Sequence, residues 1–210
     1  MKETGILFTG EEVRAILDGR KTQTRRVVKS PVSASQGKLP HNPMVKQNGS
    51  WYLPTEYSPY GKIGDTLWVR ETWGYDPNDT VMETRDKSYI FYRADEDAFA
   101  HPWPWGWRPS TNMPRWASRI ALEIVSVRVE RVQSITRDDA ISEGLYSFVS
   151  NLGARNSSPV RFYAPNSHDD GGYMNPIEAV ESLWDSINSK RGYGWDVNPW
   201  VWVIEFEVVK

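Results

Sequence analysis

The run from Arg119 to Val132 constrains the fold more than any other stretch of the chain. Ile120, Leu122 and Ile124 fall on alternate positions, as in a strand with one buried face. The apolar set then changes parity, to Val125, Val127 and Val129. A parity change inside one run predicts a β-bulge or a sharp bend, as at a barrel corner. A second run sets Trp200, Trp202, Ile204, Phe206 and Val208 against Val201, Val203, Glu205 and Glu207. It predicts a strand with one buried face that turns polar outside near its end. Residues 66–70 and 88–93 read as further strands, and Ile6-Leu7-Phe8 and residues 23–28 as shorter ones.

Helices are few and short. Thr9 with Glu12 three residues later makes a capping box, Val13, Ile16 and Leu17 form one face, and Gly19 is a stop. Thr136 caps a second helix, Asp138 and Asp139 suit its first turn, and Gly144 ends it. Glu143 then falls in the last turn, where the helix dipole disfavours negative charge, and this points to a partner cation. Asn175-Pro176 opens a third helix, with Ile177, Val180, Trp184 and Ile187 on one face. No βαβ rhythm recurs. The expected fold is α+β and mainly β, a partly closed barrel with flanking short helices. One domain spans 1–210, with loop insertions at about 30–62, 74–115 and 146–175, which are rich in Pro, Gly, Ser and Asn. The prolines of His101 to Pro109 exclude helix and central strand there. Trp103, Trp105 and Trp107 either pave a binding face or pin this loop to the barrel wall.

Composition removes several function classes. A chain of 210 residues can bury a sizeable core, but its formal charge is only -2. Bulk electrostatic attraction to nucleic acid or membrane is thereby excluded, and any nucleic-acid site has to be a local patch. The absence of cysteine excludes disulfides, zinc–thiolate sites and cysteine nucleophiles, and fits a reducing, cytoplasmic setting. No apolar stretch is long enough to span a bilayer, and the first residues do not read as a signal peptide. His41, His101 and His168 share no ligand spacing, so neither metal nor cofactor is expected. Walker, Rossmann and nucleophile-elbow motifs are missing.

Against this near-neutral background stands Gly19-Arg20-Lys21-Thr22-Gln23-Thr24-Arg25-Arg26, followed by Lys29, with no acid among them. Hydroxyls beside fixed positive charge suit phosphate binding. They also suit a nucleophile, because cations stabilise an alkoxide or oxyanion. A solvated edge strand guarded by Lys and Arg explains the same pattern without any ligand.

The order of four blocks carries a resemblance. These are the basic motif, then Gly64-Asp65-Thr66-Leu67-Trp68-Val69, then the strand and helix ending at Glu143-Gly144, then residues 200–206. Together they resemble the ASCH domain of the PUA-like superfamily, in particular its long phage and prophage members. The resemblance implies a PUA-like barrel and a role on RNA. One branch of the family is an amidohydrolase that removes acetyl from 4-N-acetylcytidine with a lysine, a threonine and a downstream glutamate. Matched motif to motif, these fall on Lys21, Thr24 and Glu143. Thr24 is then the nucleophile, Lys21 its activating base or electrostatic partner, and Glu143 an acid/base group. Arg20, Arg25 and Arg26, with Trp68 of the second block and Arg70, Glu71 and Trp73 just after it, are the expected substrate-binding residues. In a regular strand residues three apart face opposite ways, so Lys21 and Thr24 converge only if Lys21 precedes the strand or a bulge intervenes. Three functions stay open: deacylation of an N-acylated cytosine, binding or cleavage of single-stranded RNA, and a phage-encoded protein–protein interaction through the aromatic loops.

Overall fold

The computed structural model describes residues 1–29, 32–33, 44–53, 56–76, 81–95, 106–149, 160–165 and 172–209. Five strands make the main sheet: β1 (Glu3–Leu7), β2 (Gln23–Val27), β6 (Thr66–Arg70), β9 (Ala121–Arg131) and β12 (Trp200–Val208). Their spatial order is β1-β6-β9-β12-β2. β1 and β6 are parallel, and the other neighbours are antiparallel. Three small sheets flank it: β3 (Val32–Ser33) with β4 (Met44–Gln47) and β5 (Ser50–Tyr52), β7 (Trp73–Tyr75) with β8 (Ile90–Tyr92), and β10 (Tyr146–Val149) with β11 (Val160–Tyr163). The helices are α1 (Gly10–Leu17), α2 (Val81–Thr84), α3 (Arg137–Ser142) and α4 (Pro176–Asn188).

The parity change in the longest strand is a bulge. Glu205 of β12 pairs with Ser126, and the next residue, Phe206, pairs with Ile124. Val125 is the extra residue and points outward, exposed. The shift lets Ile124 and Val127 both reach the same core.

β12 differs from expectation, because both its faces are buried. Trp202, Ile204 and Phe206 join Ile6, Phe8, Val69 and Val127 in one cluster. Val201 and Val203 join a second cluster on the opposite face, with Val132, Val180 and Trp184. α3 and α4 cover that outer face, so polar residues begin only at Glu205. Each such side chain, fully buried, contributes roughly 1.5–3 kcal/mol. The strand expected at 88–93 is β8, and stretches expected as loop hold short strands too: β3 to β5 within 30–62, β7 at the start of 74–115, and the β10–β11 pair within 146–175. Strands of two to four residues are too brief to show an alternation.

The sheet does not close into a barrel. β1 and β2 are its two edges and form no backbone ladder with each other. α1 links them along the chain and buries Val13, Ala15 and Ile16, while Leu17 stays 52% exposed and leaves the expected face. One side chain spans the seam: Arg26 Nη2 donates to the Leu7 carbonyl at 2.9 Å. Trp103, Trp105 and all three histidines lie outside the described residues. Among the described residues no helix is long and apolar enough to cross a membrane, and no cluster of His, Asp and Glu could hold a metal ion.

Candidate functional site

The basic motif is placed by the end of α1. Thr9 and Glu12 form the expected capping box. At the other end Arg20 N and Lys21 N both donate to Ala15 O, at 2.8 and 2.9 Å, and this folds the chain back under the helix. Lys21 then forms a single bridge to Glu143 before β2 begins at Gln23. Lys21 therefore precedes the strand, and the alternation rule no longer keeps it away from the Thr24 side.

Lys21 is 3% exposed. Its Nζ donates to Glu143 O at 2.8 Å and to Glu143 Oε2 at 3.2 Å, and stands 3.6 Å from Glu12 Oε1. Glu143 is the C-cap of α3 and carries the charge expected to seek a cation. Two cations meet it, Lys21 and Arg25, whose Nη1 lies 2.7 Å from Oε1. Gly144 follows with φ +96, and a Cβ there would stand 2.9 Å from Lys21 Cβ and 3.0 Å from Ala15 Cβ. Only glycine allows α3 to end this close to Lys21. Burial raises the Glu12 carboxyl, but Lys21, Arg26 and the Thr9 hydrogen bonds outweigh it and hold Glu12 below the usual carboxylate range.

From Thr24 onward the two faces of β2 diverge. On the outer face Arg25 reaches Glu130 at 2.8 Å and Asp139 at 3.4 Å as well as Glu143. Arg128 extends this network to Glu130, Asp139 and Glu205. On the inner face Thr24 is fully buried, and its Oγ1 accepts from Arg26 Nη1 at 2.7 Å. Arg26 also donates to Arg25 O and Leu7 O, and lies 5.1 Å from the centre of the Phe8 ring. It makes no ion pair among the described residues.

The seam opens into a groove of about 1290 Å³. Eight basic side chains line it, against three acidic ones, Glu11, Glu12 and Glu143. Five of the eight, Arg26, Lys29, Arg70, Arg93 and Arg191, form no ion pair among the described residues. Arg70 rests on the Trp68 ring at 5.4 Å and donates to Thr111 O. Tyr60 lines the groove, and burial raises its hydroxyl pKa more than Arg26 lowers it. The far arm of the groove is apolar and built by α4.

The structure thus brings Lys21, Arg25, Arg26, Arg70 and Glu143 to one groove. Thr24 stands beside Arg26 but does not line it. Arg20 is tied to Asp18 and to Gly144 O at the end of α3. The Trp68 ring lies against Gly5, where a Cβ would stand only 2.8 Å away. Glu71 and Trp73 are elsewhere. Arg119 grips Glu71 with two hydrogen bonds of 2.9 and 3.1 Å, and burial still pushes its carboxyl above the usual range. Trp73 packs with Tyr75 and Trp116. Sequence reasoning missed Glu12, Phe8, Tyr60 and Arg93. Glu12 was hidden by its capping role, although its place on the helix leading into the basic motif was a usable signal. Comparison of the chain with protein-family models, curated proteins and solved structures finds no match.

Proposed function

We propose that this chain is an ASCH-type, PUA-like protein that binds single-stranded RNA or a nucleotide in the seam groove. One observation carries the reading. Eight basic side chains against three acidic ones line a single groove of a chain whose net charge is -2, and five of the eight are left without an ion pair among the described residues. Cations that the fold does not neutralise are available to phosphate, and each one engaged releases a counterion. Lys29 and Arg93 are exposed and reach phosphate directly. Arg26 and Arg70, each set over an aromatic ring, present oriented guanidinium groups. The test is the affinity for a labelled single-stranded RNA across a salt series. Affinity falls with salt, and Arg93→Ala reduces the slope by about 1. An affinity indifferent to salt removes the reading.

A second reading, hydrolysis of an N-acylated cytosine, is favoured by two features of the same motif, the buried Lys21–Glu143 contact and a Thr24 hydroxyl held by Arg26. Thr24 Oγ attacks the acyl carbonyl carbon and its proton passes to the Lys21–Glu143 pair. The C–N bond breaks, the base leaves with its amine restored, and water hydrolyses the threonyl ester to the free acid. Arg26 stabilises the oxyanion. This step requires Arg26 to uncover Thr24. Chromatography of 4-N-acetylcytidine incubations decides it: turnover is lost in Lys21→Ala and in Thr24→Val, and absence of turnover in the unaltered protein removes it.

A further inference from the structure

We infer that the α4 arm of the groove is a subsite for one unstacked nucleobase bearing an exocyclic amine; this rests on the nucleic-acid reading. Val180, Leu183, Trp184 and Ile187 lie on one stripe of α4 and line the groove, with Val27 of β2 lining it too. Ile187 is 46% exposed there. Phosphate contacts alone would leave this apolar wall in water. Lys29 and Arg191 line the same groove, and both are exposed. An apolar slot with cations beside it matches a nucleotide, whose flat base travels with a charged phosphate.

The wall is rigid. Trp184 Nε1 donates to Tyr193 O at 2.7 Å, and Tyr193 N donates to Asn188 O at 3.2 Å. Tyr193, which also lines the groove, is thereby fixed against α4. Within this wall the Asn188 side chain offers an acceptor. Asn188 is 9% exposed and its Nδ2 donates to Trp184 O at 3.2 Å. Its Oδ1 has no hydrogen-bond partner among the described residues. An acceptor oxygen in an apolar slot selects a donor, because an acceptor brought against it leaves both groups unpaired. Cytosine and adenine present an amine where uracil presents a carbonyl.

Fluorescence anisotropy at one salt concentration tests this with three octamers: oligo(rC), oligo(rU) and an abasic ribose-phosphate chain. Oligo(rC) binds about tenfold tighter than the abasic chain and several-fold tighter than oligo(rU), in line with the usual strength of base stacking. Ile187→Ser alters a side chain already half in water, so folding is unaffected. It lowers oligo(rC) affinity about tenfold and leaves abasic binding and the salt slope unchanged. Asn188→Leu abolishes the margin of oligo(rC) over oligo(rU). Equal affinity for oligo(rC) and the abasic chain overturns the base subsite, and equal affinity for oligo(rC) and oligo(rU) overturns the amine preference. Failure of all three octamers to bind is a different result, and it removes the nucleic-acid reading on which the subsite depends.

Discussion

Arg25 and Arg26 follow one another on β2 and point to opposite faces of the sheet, so the same side chain is placed in two surroundings. Arg25, its side chain 2% exposed, meets carboxylates of Glu130, Asp139 and Glu143. Arg26 meets only neutral acceptors, Thr24 Oγ1, Arg25 O and Leu7 O. On the outer face the charge has been absorbed into the joint between sheet and α3. On the inner face the hydrogen bonds orient the guanidinium without an ion pair, and the nearby Glu12 carboxylate feels its charge only through space. Proximity in sequence to a binding motif therefore says little about a basic residue's role. The number of carboxylates around it says much more.

The sharpest way to break this contrast is Arg25→Ala. It leaves three carboxylates facing one another at a buried joint, and the expected loss is about 3 kcal/mol in urea unfolding, since removing one partner of a buried ion pair is strongly destabilising. A loss below that of Arg26→Ala would undo the contrast. Gly144→Ala attacks the same joint through the backbone. Its φ of +96 and the 2.9 Å approach to Lys21 Cβ give an expected cost of about 2 kcal/mol. A neutral result would mean that α3 and Lys21 can shift apart.

Acid titration sharpens the comparison further. Burial raises the Asp139 carboxyl, but Thr136, Arg25 and Arg128 outweigh it, and Glu12 is likewise held low. A carboxyl lowered in the fold stabilises it above the unfolded value and loses that contribution as pH falls through the folded one. Stability should therefore be level near neutrality and decline below about pH 4.5. The decline is shallower in Arg25→Ala, which has already lost the pairing at Asp139; identical profiles would argue against the outer network. The smallest effect belongs to Arg26→Ala, about 1 kcal/mol, because it removes hydrogen bonds to acceptors that water can reach once the seam loosens.

Much of the frame was legible because its signals are local. The capping box of Thr9 and Glu12, the Thr136 cap, the Asn175-Pro176 helix start, the stop at Gly144 and the bulge at Val125 each depend on residues within a few positions. The cation sought by Glu143 was legible as a need that Lys21 could meet, but Arg25 as a second partner was not. Other features depend on what comes to lie alongside. Nothing in the alternation of β12 tells that α3 and α4 will bury Val201 and Val203. The opposite orientation of Arg25 and Arg26 follows from strand periodicity, but which of them meets acids depends on the placement of Glu130, Asp139 and Glu143 in space. Glu71 and Trp73 looked attached to the site because they follow Arg70, yet Arg119 and Trp116 draw them into a separate cluster.

The position of β2 has a consequence for how the protein comes into being. β2 has one strand neighbour, β12, and Lys21 meets Glu143 only across a separation of 122 residues. During synthesis the basic motif emerges well over a hundred residues before Glu143 and the strand that hold it. Contacts of such long separation form late, because the intervening chain must be ordered first. The groove is thus completed by residues made long after its basic motif, and ribosomes that stop before Trp200 release chains whose motif is intact in sequence and absent as a site.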